Sequence, residues 1–169
     1  DSPETHTGIA VWDPLPMGVV YVPGSSWIVI PVTTNNTVLD TFSAQTYTNN
    51  NGTTNWVNGW WDSDASPILG DAQIIQDGAN PAYALRLTRT GPTGTSSVWR
   101  AVNLNTYRAA TLSFDYRRQG LNAASDMVMV QVSTNGGASW AEVGRVAGPN
   151  NDATYQSTNI NITAYISTN

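Results

Sequence analysis

Cysteine is absent from these 169 residues. That excludes a disulfide framework, thiolate metal sites and Cys–His nucleophilic catalysis. Lysine is absent too, so the seven basic residues are all arginines, set against twelve acidic ones and a net charge of −5. Such a chain offers no basic footprint for nucleic acid or an anionic membrane surface, and neither is expected as a partner. No apolar run approaches the roughly 20 residues of a membrane-spanning helix. The single histidine, His6, lies in a polar arm (DSPETHTG) where a solvated side chain is expected. No GxSxG elbow occurs, and glutamate is limited to Glu4 and Glu142. Neither Asp62 with Asp64 nor Asp115 with Asp126 separates an acid from a base, as glycoside hydrolysis requires. The chain is expected to be non-catalytic.

Helical periodicity is missing as well, beyond a turn at Ala109-Ala110 or at 162–166. Period-two alternation is there instead. Leu112, Phe114 and Tyr116 alternate with Ser113, Asp115 and Arg117, and Val128, Val130 and Val132 alternate with Met129 and Gln131. The loop STNGG then turns the chain toward Trp140. Further short strands are expected at Val38–Phe42, Ala72–Ile75, Tyr83–Arg89, Ser97–Leu104, Ala109–Arg117, Trp140–Val146 and Tyr155–Ile162, with Gly, Asn and Pro at the joints. Ahead of them, Ile9–Trp12, Gly18–Val22 and Trp27–Val32 are apolar β-type runs separated by Pro-containing turns. Many short strands with such joints predict an all-β sandwich or barrel.

The hairpin S-T-N-G-G-A-S-W is similar to the Asp-box, S-x-D-x-G-x-x-W, with Asn135 in the Asp position. Together with Val38–Phe42, Leu85-Arg86-Leu87 and FDYR at 114–117, it resembles the jelly-roll modules of the MAM and reelin type. These recur in secreted bacterial proteases, glycan hydrolases and surface adhesins. The resemblance covers about residues 38 to 166, so the expected organisation is an N-terminal β extension at 1–37 and a jelly-roll-like antiparallel β-sandwich at 38–169. It implies an extracellular or cell-surface location, which also fits a chain that starts at Asp1, as processing after export leaves it. In the similar modules a further apolar strand follows the position of Tyr165-Ile166. A sandwich lacking its last strand has an open slot, which the N-terminal segment would fill in its own chain or, as a donor strand, in a neighbouring copy.

Two sets of side chains are candidate sites. Asp62, Asp64 and Ser66 place oxygen atoms at alternate loop positions, as ligands of a hard cation do, and calcium is the structural cofactor such a loop would take. Turn-forming aspartates give the same spacing. The resemblance adds Asp40, at a position that supplies calcium ligands in similar modules. The second set is aromatic, because seven tryptophans is rich for this length and an exposed indole stacks on the C–H face of a sugar ring. Trp60 and Trp61 are adjacent, so in extended backbone they point to opposite faces. The family pattern places Arg100 on the face of Val98 and Val102, which turns Trp99 outward. Trp60, Trp61 and Trp99 are therefore the candidate ligand-binding residues, with core packing expected for Trp56, Trp140 and one of the 60/61 pair. Sequons at Asn35, Asn51 and Asn161 are what an Asn/Thr-rich chain generates by chance. The function expected is an adhesion or ligand-binding module, with a glycan or a protein at a cell surface as partner. The alternative is a self-assembling subunit of a filament or surface layer, whose partners are copies of itself.

Overall fold

The computed structural model describes residues 20–21, 28–29, 35–62, 67–78, 83–88 and 96–167. The chain divides into two compact units, Asp1–Asn36 and Thr37–Asn169. In the first, β1 (Val20–Tyr21) and β2 (Ile28–Val29) form a two-stranded antiparallel ladder, Val20 opposite Val29. Two residues from each of two apolar N-terminal runs, Gly18–Val22 and Trp27–Val32, thus pair with each other. The Ile9–Trp12 run lies outside the described residues.

The second unit is all-β and antiparallel in its named strands, with one single-turn 3-10 helix, Thr163–Tyr165, among the described residues. β3 (Ala72–Gln76) pairs with β4 (Tyr83–Leu87), Ile74 opposite Leu85. Ile74 has no exposed surface and, with Ala72 and Tyr47, forms the best-buried apolar cluster of the described residues. The remaining strands are nested. β5 (Thr111–Tyr116) pairs with β8 (Gln156–Asn161), and between them in sequence β6 (Met127–Val132) pairs with β7 (Ala141–Ala147). The connections stay paired too. Leu121 bridges Asn150, and the Asp152 N–H donates to the Arg118 carbonyl at 2.9 Å. Residues 111–161 are thus one long hairpin, bent in its middle.

The bend brings the two ladders face to face. Phe114 and Tyr116 of β5, Thr158 and Ile160 of β8, and Val130 and Val146 of β6 and β7 line one cavity of about 120 Å³. A Cβ on Gly144 would lie 2.9 Å from Ile160 Cδ1, so a larger residue there would have to push that side chain aside. Alternation decides the facing: Leu112, Phe114 and Tyr116 are half-buried, while Thr111, Ser113 and Asp115 are exposed. The result is sandwich-like.

Two expected strands do not form. Val38–Phe42 makes a single bridge, from Val38 to Thr54, because Asp40 Oδ1 accepts the Phe42 N–H at 2.7 Å and closes an Asx-turn. Phe42 consequently takes a left-handed φ of 51°, which ends any strand. In Ser97–Leu104 only Trp99 bridges, to Trp61. There the Asn58 side chain takes the Ala101 N–H at 2.8 Å, a donor that a ladder would need.

Candidate ligand site

Trp60 and Trp61 point opposite ways, as adjacent residues in extended backbone must. Trp60 faces inward. Its ring stacks on Phe42, with centroids 6.3 Å apart and planes 20° apart, and lies 6.2 Å from Trp56. Its Nε1–H donates to Asp40 Oδ2 at 2.9 Å. Arg100 completes this cage. The guanidinium sits 4.9 Å from the Trp56 ring centroid and 5.8 Å from that of Trp60. Nη1 donates to Asp40 Oδ2 at 2.8 Å, Nε to the Asn58 carbonyl at 2.8 Å and Nη2 to the Asn49 carbonyl at 2.7 Å.

The Arg100 and Asp40 side chains are 1% and 3% exposed. Burial pulls the Arg100 pKa below its ordinary value, and the charge and hydrogen bond of Asp40 oppose that shift. Asp40, a candidate calcium ligand in the sequence, therefore has both oxygens engaged by the chain's own N–H groups. Asp62 is also buried, and the Tyr47 hydroxyl donates to its Oδ2 and contacts the Ala72 carbonyl at 3.0 Å. Asp64 lies outside the described residues. Among the described residues no group of three or more His, Cys, Asp or Glu side chains gathers as a cation site.

Outward, the geometry differs. Trp61 and Trp99 exchange backbone hydrogen bonds at 2.9 and 3.0 Å, which sets their rings side by side with centroids 5.9 Å apart and planes tilted by 34°. Trp140 extends the row, 6.4 Å from Trp99 at 59°. Trp61 is 48% exposed and Trp140 42%, with Trp99 half-buried between them. Of the sequence candidates, Trp61 and Trp99 come together at the surface and Trp60 belongs to the interior.

Trp140 was expected in the core and is not. The β7 register explains why: Ala141 opposes Val132 on the inner face, so Trp140 shares the outward parity of Glu142. That parity is the signal in the sequence; residue type misleads. The turn before Trp140 is built by Asn135, whose Oδ1 accepts the Ser139 N–H at 2.9 Å and whose Nδ2 donates to Ser139 Oγ at 2.8 Å. Ser133 Oγ accepts the Gly137 N–H at 2.8 Å. Gly136 and Gly137 supply φ of 69° and 90°, and the Trp140 ring lies against Gly137.

Three further carboxylates of the second unit are paired with arginines. Asp77 holds Arg117 and accepts from the Tyr155 hydroxyl, Glu142 holds Arg145, and Asp152 holds Arg118 through Nε and Nη2 at 2.8 Å. Hydrogen bonds from the Arg118 side chain, then from its backbone, bring the Asp152 pKa down to about 2. Comparison with protein-family models, with curated proteins and with solved structures finds no match to this chain.

Proposed function

We propose that this chain is a non-catalytic, extracellular binding module that holds its ligand on the row Trp61–Trp99–Trp140. The observation that carries this reading is the placement of three indoles side by side, two of them over 40% exposed. Large aromatic side chains left in water are costly unless something covers them, and an indole offers both a flat apolar face and an N–H donor. The cage beneath supports the row. Arg100 grips the loop carbonyls of Asn49 and Asn58, which fixes the backbone on which Trp99 and Trp61 bridge. Low charge and an abundance of Thr, Ser, Asn and Gly suit an exported surface module.

The test is a glycan and surface-protein array probed with the intact chain, Trp61→Ala and Trp140→Ala. Each single variant should weaken binding and the double variant should abolish it, with the parent melting temperature kept. Unchanged binding by the double variant would sink the proposal. A second reading, the self-assembling subunit, is favoured by β6, whose Met127, Val128 and Met129 are all exposed. It predicts concentration-dependent oligomers in sedimentation, unaffected by the tryptophan substitutions.

A further inference from the structure

Resting on that reading of the tryptophan row, we infer that its ligand is a neutral glycan bound as a single, twisted chain, in preference to a flat polysaccharide surface or an acidic glycan. The tilt of the rings carries the first half. A pyranose stacks with its C–H face parallel to an indole. The planes of Trp61 and Trp99 differ by 34°, and those of Trp99 and Trp140 by 59°. A ribbon whose successive sugar faces are coplanar, as on a crystalline surface, lies parallel to one of these indoles and clashes with or lifts off the others. A free chain whose rings rotate about its axis can meet the indoles in turn. Three neighbouring indoles also exceed what one sugar ring covers, so the recognised unit is an oligosaccharide.

Electrostatics carries the second half. Recognition of carboxylated or sulfated sugars needs unpaired cations beside the stacking face. Arg100, the neighbour of Trp99, is turned into the interior and neutralised by Asp40 at 2.8 Å. Arg145, on the strand that follows Trp140, is exposed but has Glu142 at 2.7 Å, so an anionic sugar there would meet a carboxylate beside the cation. The chain as a whole carries −5, which repels a polyanion. The adjoining turn is polar and uncharged, with Asn135 and Ser139 exposed and hydrogen-bonded to each other.

The experiment titrates the intact chain with neutral oligosaccharides of one to six units from helical β-1,3-glucan and from xylan, with heparin, and with crystalline cellulose in suspension. Tryptophan fluorescence and calorimetry are the readouts for the soluble ligands, and depletion for the solid. Affinity should rise from the monosaccharide to the tri- or tetrasaccharide and then level off. Trp61→Ala and Trp140→Ala should each weaken the longer ligands by about tenfold, the loss of one stacking contact. Circular dichroism confirms that each variant is folded. Preference for cellulose, preference for heparin, or equal affinity for one and four units would each overturn the inference and leave the row standing as a binding site. Failure of every glycan to bind, or a dimer that buries the row, would overturn the inference and the carbohydrate reading together.

Discussion

Replacing Arg100 by Met removes a charge from a place that water does not reach. The methionine keeps most of the unbranched stem, so packing between Trp56 and Trp60 is largely preserved. What is lost is polar. The carboxylate of Asp40, 3% exposed, keeps only the Phe42 and Trp60 N–H groups, and the carbonyls of Asn49 and Asn58 lose their donors. Removing one partner of a buried ion pair costs about 3–5 kcal/mol. Against a total of about 5–15 kcal/mol for a domain, this is enough to leave the unit marginal. Urea unfolding followed by fluorescence measures the loss as a shift of midpoint at constant slope. Combining Arg100→Met with Asp40→Asn should recover part of it, because the second change removes the stranded charge. A coupling of about 0.5–3 kcal/mol is expected for groups in such contact. If Arg100→Met alone costs less than about 1 kcal/mol, the cage is solvated and the reasoning fails.

Three further outcomes follow from the same geometry. Asp152 has a folded pKa near 2, below its ordinary 3.8, so its contribution is complete above that value and disappears as pH falls from about 4 to 2. Asp152→Asn should flatten this part of the stability–pH curve, and an unchanged acid limb would contradict the Arg118 pairing. Gly52→Ala would place a Cβ 2.2 Å from the Thr37 carbonyl oxygen and 2.7 Å from the Leu39 nitrogen, both backbone atoms. A loss of about 1–3 kcal/mol is expected in thermal unfolding, and a neutral result would mean that residues 37–39 do not lie over this loop. Asn135→Ala removes the hydrogen bonds that close the turn before Trp140 and should cost about 1–2 kcal/mol. Asn135→Asp, which can still accept the Ser139 N–H, should cost less, and equal losses for the two would remove Asn135 as the turn's organiser.

Local patterns were legible in the sequence, and distant partners were not. Residue pattern located β3 to β8 to within a residue or two, most cleanly in β5, where half-buried and exposed side chains alternate throughout. The order of pairing was hidden, since nothing in residues 111–116 names 156–161 as their partner. The resemblance made Asp40 a candidate cation ligand, and nothing near it in sequence names its partner, Arg100, 60 positions away. The expected strands at 38–42 and 97–104 had the right composition. They failed because the side chains of Asp40 and Asn58 compete for the backbone donors that a ladder would use. Among the candidate ligand residues, adjacency alone settled that Trp60 and Trp61 diverge. Which of them faces water depended on Asp40 and Arg100, which hold Trp60 inside.

The bent hairpin of residues 111–161 also predicts an order of events in time. Its first contacts, Val132 with Ala141, join residues nine apart, and each later pair encloses only a slightly longer loop until Thr111 meets Asn161. Loop-closure entropy grows slowly when closure proceeds this way, so pairing can zip outward from the 133–140 turn without a long-range search. Substitutions near that turn should slow folding, while those at Thr111 or Asn161 should mainly hasten unfolding, and φ-values with the opposite gradient would refute the zipper. Asn135, which closes the turn beside Trp140, then has a second office: it helps set how fast the sheet comes into being.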